Sequence, residues 1–374
     1  MKQATQNKYT QMTTAPIPSL IGKLAIPTIV SMLITSFYVM ADTYFVGKIN
    51  TQSTAAVGIS FSIMAIIQAF GFFFGHGSGN YISRKLGAQD YKSAEKMAST
   101  GFFYAFFAGI LIMVLGLIFL RPICLALGST PTILPYAEQY LGIILLGAPF
   151  MASSLVLNNQ MRFQGNAVYA MVGIIVGAVL NIGLDPLLIF VFDMGIAGAA
   201  IGSSLAELVS VLFFISYTYR KIDYRKYGLN RIPGIRTKAL SQIMHISLWT
   251  MIQNFISLST WFLFFIFIEH LGERPLAISN IIRSVSSIPF MTVMAFASTC
   301  SSLVSNQIGA GHSKEVPALI NQHIRLCSFF IIPLIGLIAL FPSTVLRIYT
   351  NIPDLITASI PTLWVLCSTY IVSI

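Results

Sequence analysis

VGAVLNIGLDPLLIFVF, residues Val176–Phe192, is long and apolar enough to cross a bilayer, which takes about 20 such residues and as few as about 17. It nevertheless carries Asn181 and Asp185, one helical turn apart, with Pro186 directly after them. A carboxylate at mid-bilayer depth costs about 2.5–3.5 kcal/mol on insertion scales, so an acid there faces an interior. Asn181 and Asp185 share one helix face. Pro186 has no N–H for the carbonyl of Ile182, four residues back. Amide, carboxylate and freed carbonyl make an oxygen-rich pocket suited to a small cation or a proton. The plainer alternative is a Pro-kinked helix whose Asp is neutral or paired structurally.

The rest of the chain agrees with a membrane setting. It is 56% hydrophobic and only 9% charged, with a mean hydropathy of +0.79, whereas soluble domains run to about 25% charged. Long apolar runs, rather than alternating ten-residue strands, specify helices and not an outer-membrane barrel. Cys124, Cys300, Cys327 and Cys367 are scattered and form no CxxC, so they read as packing residues. Residues 1–20 are polar and lack the apolar core of a cleaved signal peptide.

Ten spans are expected, at 24–48, 54–80, 97–120, 134–158, 167–192, 196–219, 244–269, 276–304, 319–343 and 355–374. Turn residues separate them, as in Gly128-Ser129-Thr130-Pro131 and Asp193-Met194-Gly195. Basic residues crowd the N-terminus, the loop after the second span (Arg84, Lys85, Lys92, Lys96) and the loop after the sixth (Arg220 to Lys238). The other side has only Lys48, Arg121, Arg274 and Arg347. The positive-inside rule puts the N-terminus and the 220–240 loop in the cytoplasm. The net charge of +10 is therefore an orientation signal, and no nucleic-acid partner is expected.

Sliding the chain by 222 residues exposes a repeat without gaps. Thr28 falls on Thr250, Phe45 on Phe267, Ser83 on Ser305, Gly87 on Gly309 and Pro131 on Pro353. A full unit has six helices, an even number, so both units enter the membrane the same way and form parallel repeats. The expected fold is an all-α polytopic membrane protein of two parallel-repeat helical lobes, six helices plus an incomplete four. Residues 1–220 form the first lobe, 221–240 a basic cytoplasmic linker, and 241–374 the second lobe. Ile374 falls on Ala152, inside the fourth span, so the chain reads as a truncated version of a twelve-helix protein.

With Asn181-Ile-Gly-Leu-Asp185-Pro186 and the repeat in view, the chain resembles the multidrug and toxic compound extrusion (MATE) family, in the prokaryotic branch of the DNA-damage-inducible and MepA-like exporters. The resemblance covers roughly residues 16–374. It is carried also by Asp42 in Met40-Ala-Asp-Thr-Tyr-Phe-Val-Gly47, by Ile82-Ser-Arg-Lys-Leu-Gly87 and by Arg162-Phe-Gln-Gly-Asn166. It implies a two-lobed bundle in the inner (plasma) membrane of a prokaryote, exporting bulky, often cationic, drug-like compounds in exchange for H+ or Na+. It implies no cofactor beyond that ion. In this branch the cation site lies in the first lobe, and the matching residues are Asp42, Asn181 and Asp185. Ser203 is the best hydroxyl candidate from the sixth span, with Ser204 beside it, and Asn158 or Asn159 a looser contributor. Phe264 stands at the repeat position of Asp42, so a second-lobe site looks absent.

Residues taken singly add detail. Asp42 and Asp185 each lie six or seven residues from the outer end of an outward-running helix, so their depths match. Close carboxylates resist holding two charges and share a proton. Glu207, one turn beyond Ser203, either joins the cluster or lines the lobe interior. Arg283 pairs with an acid, touches cargo or snorkels. Gln68, Gln253, Asn254 and Asn280 are candidates for a substrate cavity because amides avoid lipid, and Met64 and Met291 because thioethers adapt to varied apolar cargo. His76 has no acid or Cys at ligand spacing, so a packing His is expected and no metal.

The expected activity is secondary antiport. No Gly-rich Lys-Ser/Thr phosphate loop is present to use ATP. No nucleophile–base pair, GxGD-type Asp pair or His cluster points to an enzyme. Competing readings are a flippase for a lipid-linked oligosaccharide, which would line its lumen with Arg and Lys, and a non-transporting fragment. A monomer in the lipid bilayer is expected.

Overall fold

A computed structural model describes Met12 and residues 16–221, 237–350 and 352–373. Most of the expected linker (222–236) therefore lies outside the described residues. The described chain is helical, with no strand among the described residues. In order, the helices are α1 (Ile17–Gly47), α2 (Thr51–Gly87), α3 (Tyr91–Ile118), the short α4 (Leu120–Ala126), α5 (Leu134–Phe163), α6 (Ala167–Pro186) and α7 (Gly195–Lys221). There follow α8 (Thr237–His270), α9 (Glu273–Gly309), α10 (Val316–Leu340), the short α11 (Pro342–Arg347) and α12 (Pro353–Ser373). The fifth expected span is thus α6 together with the π-helical turn Leu187–Val191 that extends it. Eight helices among the described residues are long and apolar enough to cross a membrane. α8 and α12 carry the seventh and tenth expected spans, and several of their side chains lie outside what is described.

Local chemistry sets the helix starts. The Asn50 side chain accepts from the Ser53 N–H at 2.7 Å, and Asp90 caps α3 by accepting from the Ser93 N–H at 3.2 Å. Each satisfies one of the donors that a helix N-terminus leaves without an internal partner.

Within the first lobe α5 is the central helix, packed on α2, α3 and α7. Its apolar window is 72% buried, against 28% for α1, α3 and α6, which turn their remaining faces outward, where a bilayer would meet Phe107, Leu111 and Val179. A polar tie fixes α5: Gln160 Nε2 donates to the Ser78 hydroxyl of α2 (3.0 Å) and to the Ala98 carbonyl of α3 (3.1 Å). α1 lies apart from that centre, against α6 on one side and α9 and α10 on the other.

The 222-residue repeat is visible in the fold. α2 and α9 have the same length and bounds after the shift, Thr51–Gly87 onto Glu273–Gly309. The two cross each other between the lobes by reciprocal contacts. Ser83 Oγ donates to the Ser302 carbonyl (2.8 Å), while Ser305 Oγ donates to Asn80 Oδ1 (2.8 Å). Ser83 and Ser305 are repeat mates, and so are Asn80 and Ser302. The turns that follow also match: Gln89 and its mate Gly311 both take the left-handed conformation, at φ 56° and 85°.

Candidate functional site

The site begins where α6 loses its regular ladder. Pro186 cannot donate to the Ile182 carbonyl, and the chain widens into the π turn Leu187–Val191, closed by the Phe192 N–H on the Leu187 carbonyl at 2.9 Å. Such single π turns are frequent at functional sites. Just before it, Asn181 and Asp185 are both buried, at 2% and 0% exposure. The Asn181 amide donates to Asp185 Oδ1 at 3.3 Å and to Ser203 Oγ of α7 at 3.2 Å.

Asp42 of α1 completes the group. Its carboxyl comes close enough to that of Asp185 for the two to share a proton. Asp42 Oδ1, Asn181 Oδ1 and Asp185 Oδ2 are buried oxygens without a hydrogen-bond donor among the described residues. Acceptor oxygens buried without donors are rare, and each calls for an explanation. Three such oxygens, on neighbouring residues of two packed helices, suit a proton or a small hard cation. Sequence reasoning had placed all four of these residues, Asp42, Asn181, Asp185 and Ser203, in one site, and the fold brings them together. Among the described residues no group of three or more His, Cys, Asp or Glu is arranged for a metal ion.

The other expected members lie elsewhere. Asn158 donates its amide to the Ala170 carbonyl at 2.9 Å, eleven residues before Asn181 on α6 and so about 16 Å away along the axis. It ties α5 to α6 and does not reach the acids. Asn159 donates to the Leu155 carbonyl of its own helix at 2.8 Å, and Ser204 to the Ile143 carbonyl at 3.3 Å. Glu207 faces the Ser154 hydroxyl of α5, one layer further along the lobe interior. Tyr38 of α1 lies within electrostatic range of both Glu207 and Asp42.

Three contributors escaped the sequence reading. Tyr38 is one turn before Asp42 on α1, a spacing that could have nominated it. Tyr140 of α5 is 1% exposed and feels the charges of Asp42 and Asp185, but nothing in its own helix signals this. Gly202 is the third: a Cβ built there would stand 2.7 Å from Asp185 Oδ1. One turn earlier, a Cβ on Gly198 would stand 2.7 Å from the Leu188 backbone carbon. Gly198 and Gly202 form a small-xxx-small pair that lets α7 press directly on the kinked helix, a device common to membrane bundles.

The proposed cavity residues are dispersed. Met64 packs into the first-lobe core, while Met291 accepts a 3.4 Å contact from the Ser36 hydroxyl, joining α9 to α1. Gln68 is half-buried on α2. Gln253 and Asn280 are exposed, and the side chain of Asn254 lies outside what is described. Arg283 is exposed but engaged with a partner. His76 packs between rings, stacked on Phe72 at 5.6 Å and edge-on to Phe163 at 5.9 Å. Its Nδ1 has no hydrogen-bond partner among the described residues.

Comparisons with known proteins bear on this geometry. A family model described as MatE matches residues 27–187 and 250–374. The chain is 27% identical over 305 residues to the multidrug export protein MepA of Staphylococcus aureus, a match covering 81% of this chain and 67% of the relative. It therefore spans about two thirds of the length of that curated relative. Its fold superposes on a crystal structure of MATE in complex with MaD3S with a TM-score of 0.88 at 24% identity, over 96% of this chain and 82% of the other. A MOP superfamily transporter from Pyrococcus furiosus gives 0.84 at 24% identity, over 95% and 79%. At this identity the structural likeness is one of fold.

Proposed function

The chain belongs to the MatE family, and on that premise we propose that it is a secondary antiporter, expelling bulky and often cationic organic compounds in exchange for H+ or Na+. The observation that carries the reading is the set of donor-less oxygens on Asp42, Asn181 and Asp185. The MepA relative is by name a multidrug exporter, which supports the cargo class. The asymmetry of the basic residues supports a cytoplasmic N-terminus, and a monomer in the inner membrane of a prokaryote is part of the same proposal.

Coupling follows from the position of α1. This helix presents Asp42 to α6 and, nearly two turns earlier, Ser36 to Met291 of the second lobe. Pro27 leaves the Lys23 carbonyl without its helical donor, which gives α1 a bend point. A cation entering between Asp42 and Asp185 removes their mutual repulsion and draws α1 onto α6. The same movement shifts the α1 surface that meets α9, so the space between the lobes changes shape and cargo is expelled. Each positive charge moving inward down 100 mV contributes about 2.3 kcal/mol toward this work.

The test is export of a fluorescent organic cation from proteoliposomes, with a pH gradient and a sodium gradient imposed separately. The native chain is expected to respond to one of them, and Asp42→Asn and Asp185→Asn to neither. Undiminished gradient-driven export by both variants would refute the reading.

A further inference from the structure

At the basic end of the bundle, α2, the start of α8 and the end of α9 enclose a groove of about 520 Å³. Two cations of α2 line it. Lys85 lies over the Tyr81 ring at 5.7 Å and meets Asp90 at 3.1 Å, so its charge is matched. Arg84 is exposed and makes no ion pair among the described residues. The groove therefore keeps net positive charge, with the amide of Gln242 facing the same space from α8. Ile246 and Ile308 make its apolar side. By helical spacing the Gln242–Ile246 face of α8 continues through Trp249 and Ile256, which are 68% and 59% exposed. A polar, cationic pocket thus opens onto a mainly apolar exposed face of α8, interrupted by the amide of Gln253, that continues along the spanning helix.

We propose that this groove binds the phosphate of an anionic phospholipid, with the acyl chains laid along Trp249 and Ile256. A basic pocket between spanning helices is the known chemistry for such headgroups, and the guanidinium fork suits a phosphate better than a point charge does. The mainly apolar face is what favours a lipid over a free anion. Because the groove walls come from both lobes, a bound lipid bridges α2 to α8 and α9 beside their crossing. This inference is independent of the cation site.

The experiment is native mass spectrometry of the full chain, released from nanodiscs holding phosphatidylglycerol and phosphatidylcholine together. The native chain is expected to retain phosphatidylglycerol preferentially. Arg84→Gln removes the charge, and Ile246→Trp fills the groove with every cation in place. Arg84→Gln is expected to lower retention about tenfold, the loss of one charge-assisted contact, and Ile246→Trp to lower it at least as far by occupying the space, while Lys92→Gln outside the groove retains it. Should Arg84→Gln fail to fold, by its size-exclusion profile, Ile246→Trp decides. Native-level retention by the folded groove variants, or equal retention of both lipids, overturns the proposal. So does displacement of phosphatidylglycerol by inorganic phosphate at concentrations that leave bulk charge screening unchanged, since that assigns the groove to a free anion.

Discussion

Gly87 and Gly309, 222 residues apart and equivalent in the repeat, each press a bare α-carbon against the other's helix. A Cβ on Gly87 would collide with the Asn306 carbonyl oxygen, and one on Gly309 with the Arg84 carbonyl oxygen. Arg84 and Asn306 are themselves repeat mates. The contact is a pseudo-two-fold crossing of α2 and α9, made of backbone against backbone, and it closes the basic end between the lobes. No flexible side chain is present there to yield.

Gly309→Ala is therefore expected to push the lobes apart at this end. Overpacking costs about 1–3 kcal/mol, and about 1.4 kcal/mol shifts a two-state equilibrium tenfold. A cysteine at Ser305, which is 7% exposed, reports the change. Its labelling by a hydrophilic maleimide should be about tenfold faster in the Gly309→Ala background than in the parent. Equal rates would show that the crossing absorbs the methyl group.

Gly202 makes a parallel case at the cation site. Its missing side chain leaves room for Asp185 Oδ1, which a Cβ would approach to 2.7 Å. Gly202→Ala should displace the carboxylate while leaving every proposed ion ligand in the sequence. Gradient-driven export is expected to fall as far as in Asp185→Asn, with protein yield and size-exclusion profile close to native. Export at the native level would mean that α7 can retreat without disturbing the site.

What could be read from the sequence, and what could not, divides along physical lines. Asp185 and Asn181 announced themselves because a carboxylate and an amide are costly in an apolar span, and the matched depth of Asp42 followed from helix direction alone. Asn158 is equally polar and equally buried, yet it satisfies itself on the Ala170 carbonyl of its neighbour. Polarity says that a partner exists and not which one. Tyr140 gave no sign, since an aromatic residue near a helix start has many ordinary uses. The repeat was legible as a constant offset, but the reciprocal crossing of Gly87 and Gly309 needed three dimensions.

Ser203 and Asn181 should separate quantitatively. Ser203→Ala removes one acceptor of the Asn181 amide and leaves its 3.3 Å bond to Asp185. A neutral hydrogen bond contributes about 1 kcal/mol net, so half-saturation for the driving ion should weaken about fivefold. Asn181→Ala removes both bonds and a donor-less oxygen, and should weaken it by well over tenfold. Transport rates measured against the driving-ion concentration check the order. Equal effects would place Ser203 and Asn181 in one indivisible unit.

The acid response of the α2–α3 turn has a definite sign. Asp90 lies outside the spanning segments, and its carboxyl is held below the usual range first by the Ser93 hydroxyl, then by Lys85 and the Ser93 N–H. A folded-state pKa below the unfolded one stabilises above the ordinary value of 3.8, and the stabilisation is lost as pH falls through the lowered value. Asp90→Asn keeps an N-cap oxygen for α3 but gives up the charge that meets Lys85 at 3.1 Å. The variant should melt slightly below the native protein in detergent at neutral pH, by an amount that shrinks with salt because the pair is exposed. Below the lowered pKa the two melting curves should coincide. A deficit that persists undiminished into acid would assign the effect to the cap rather than to the charge.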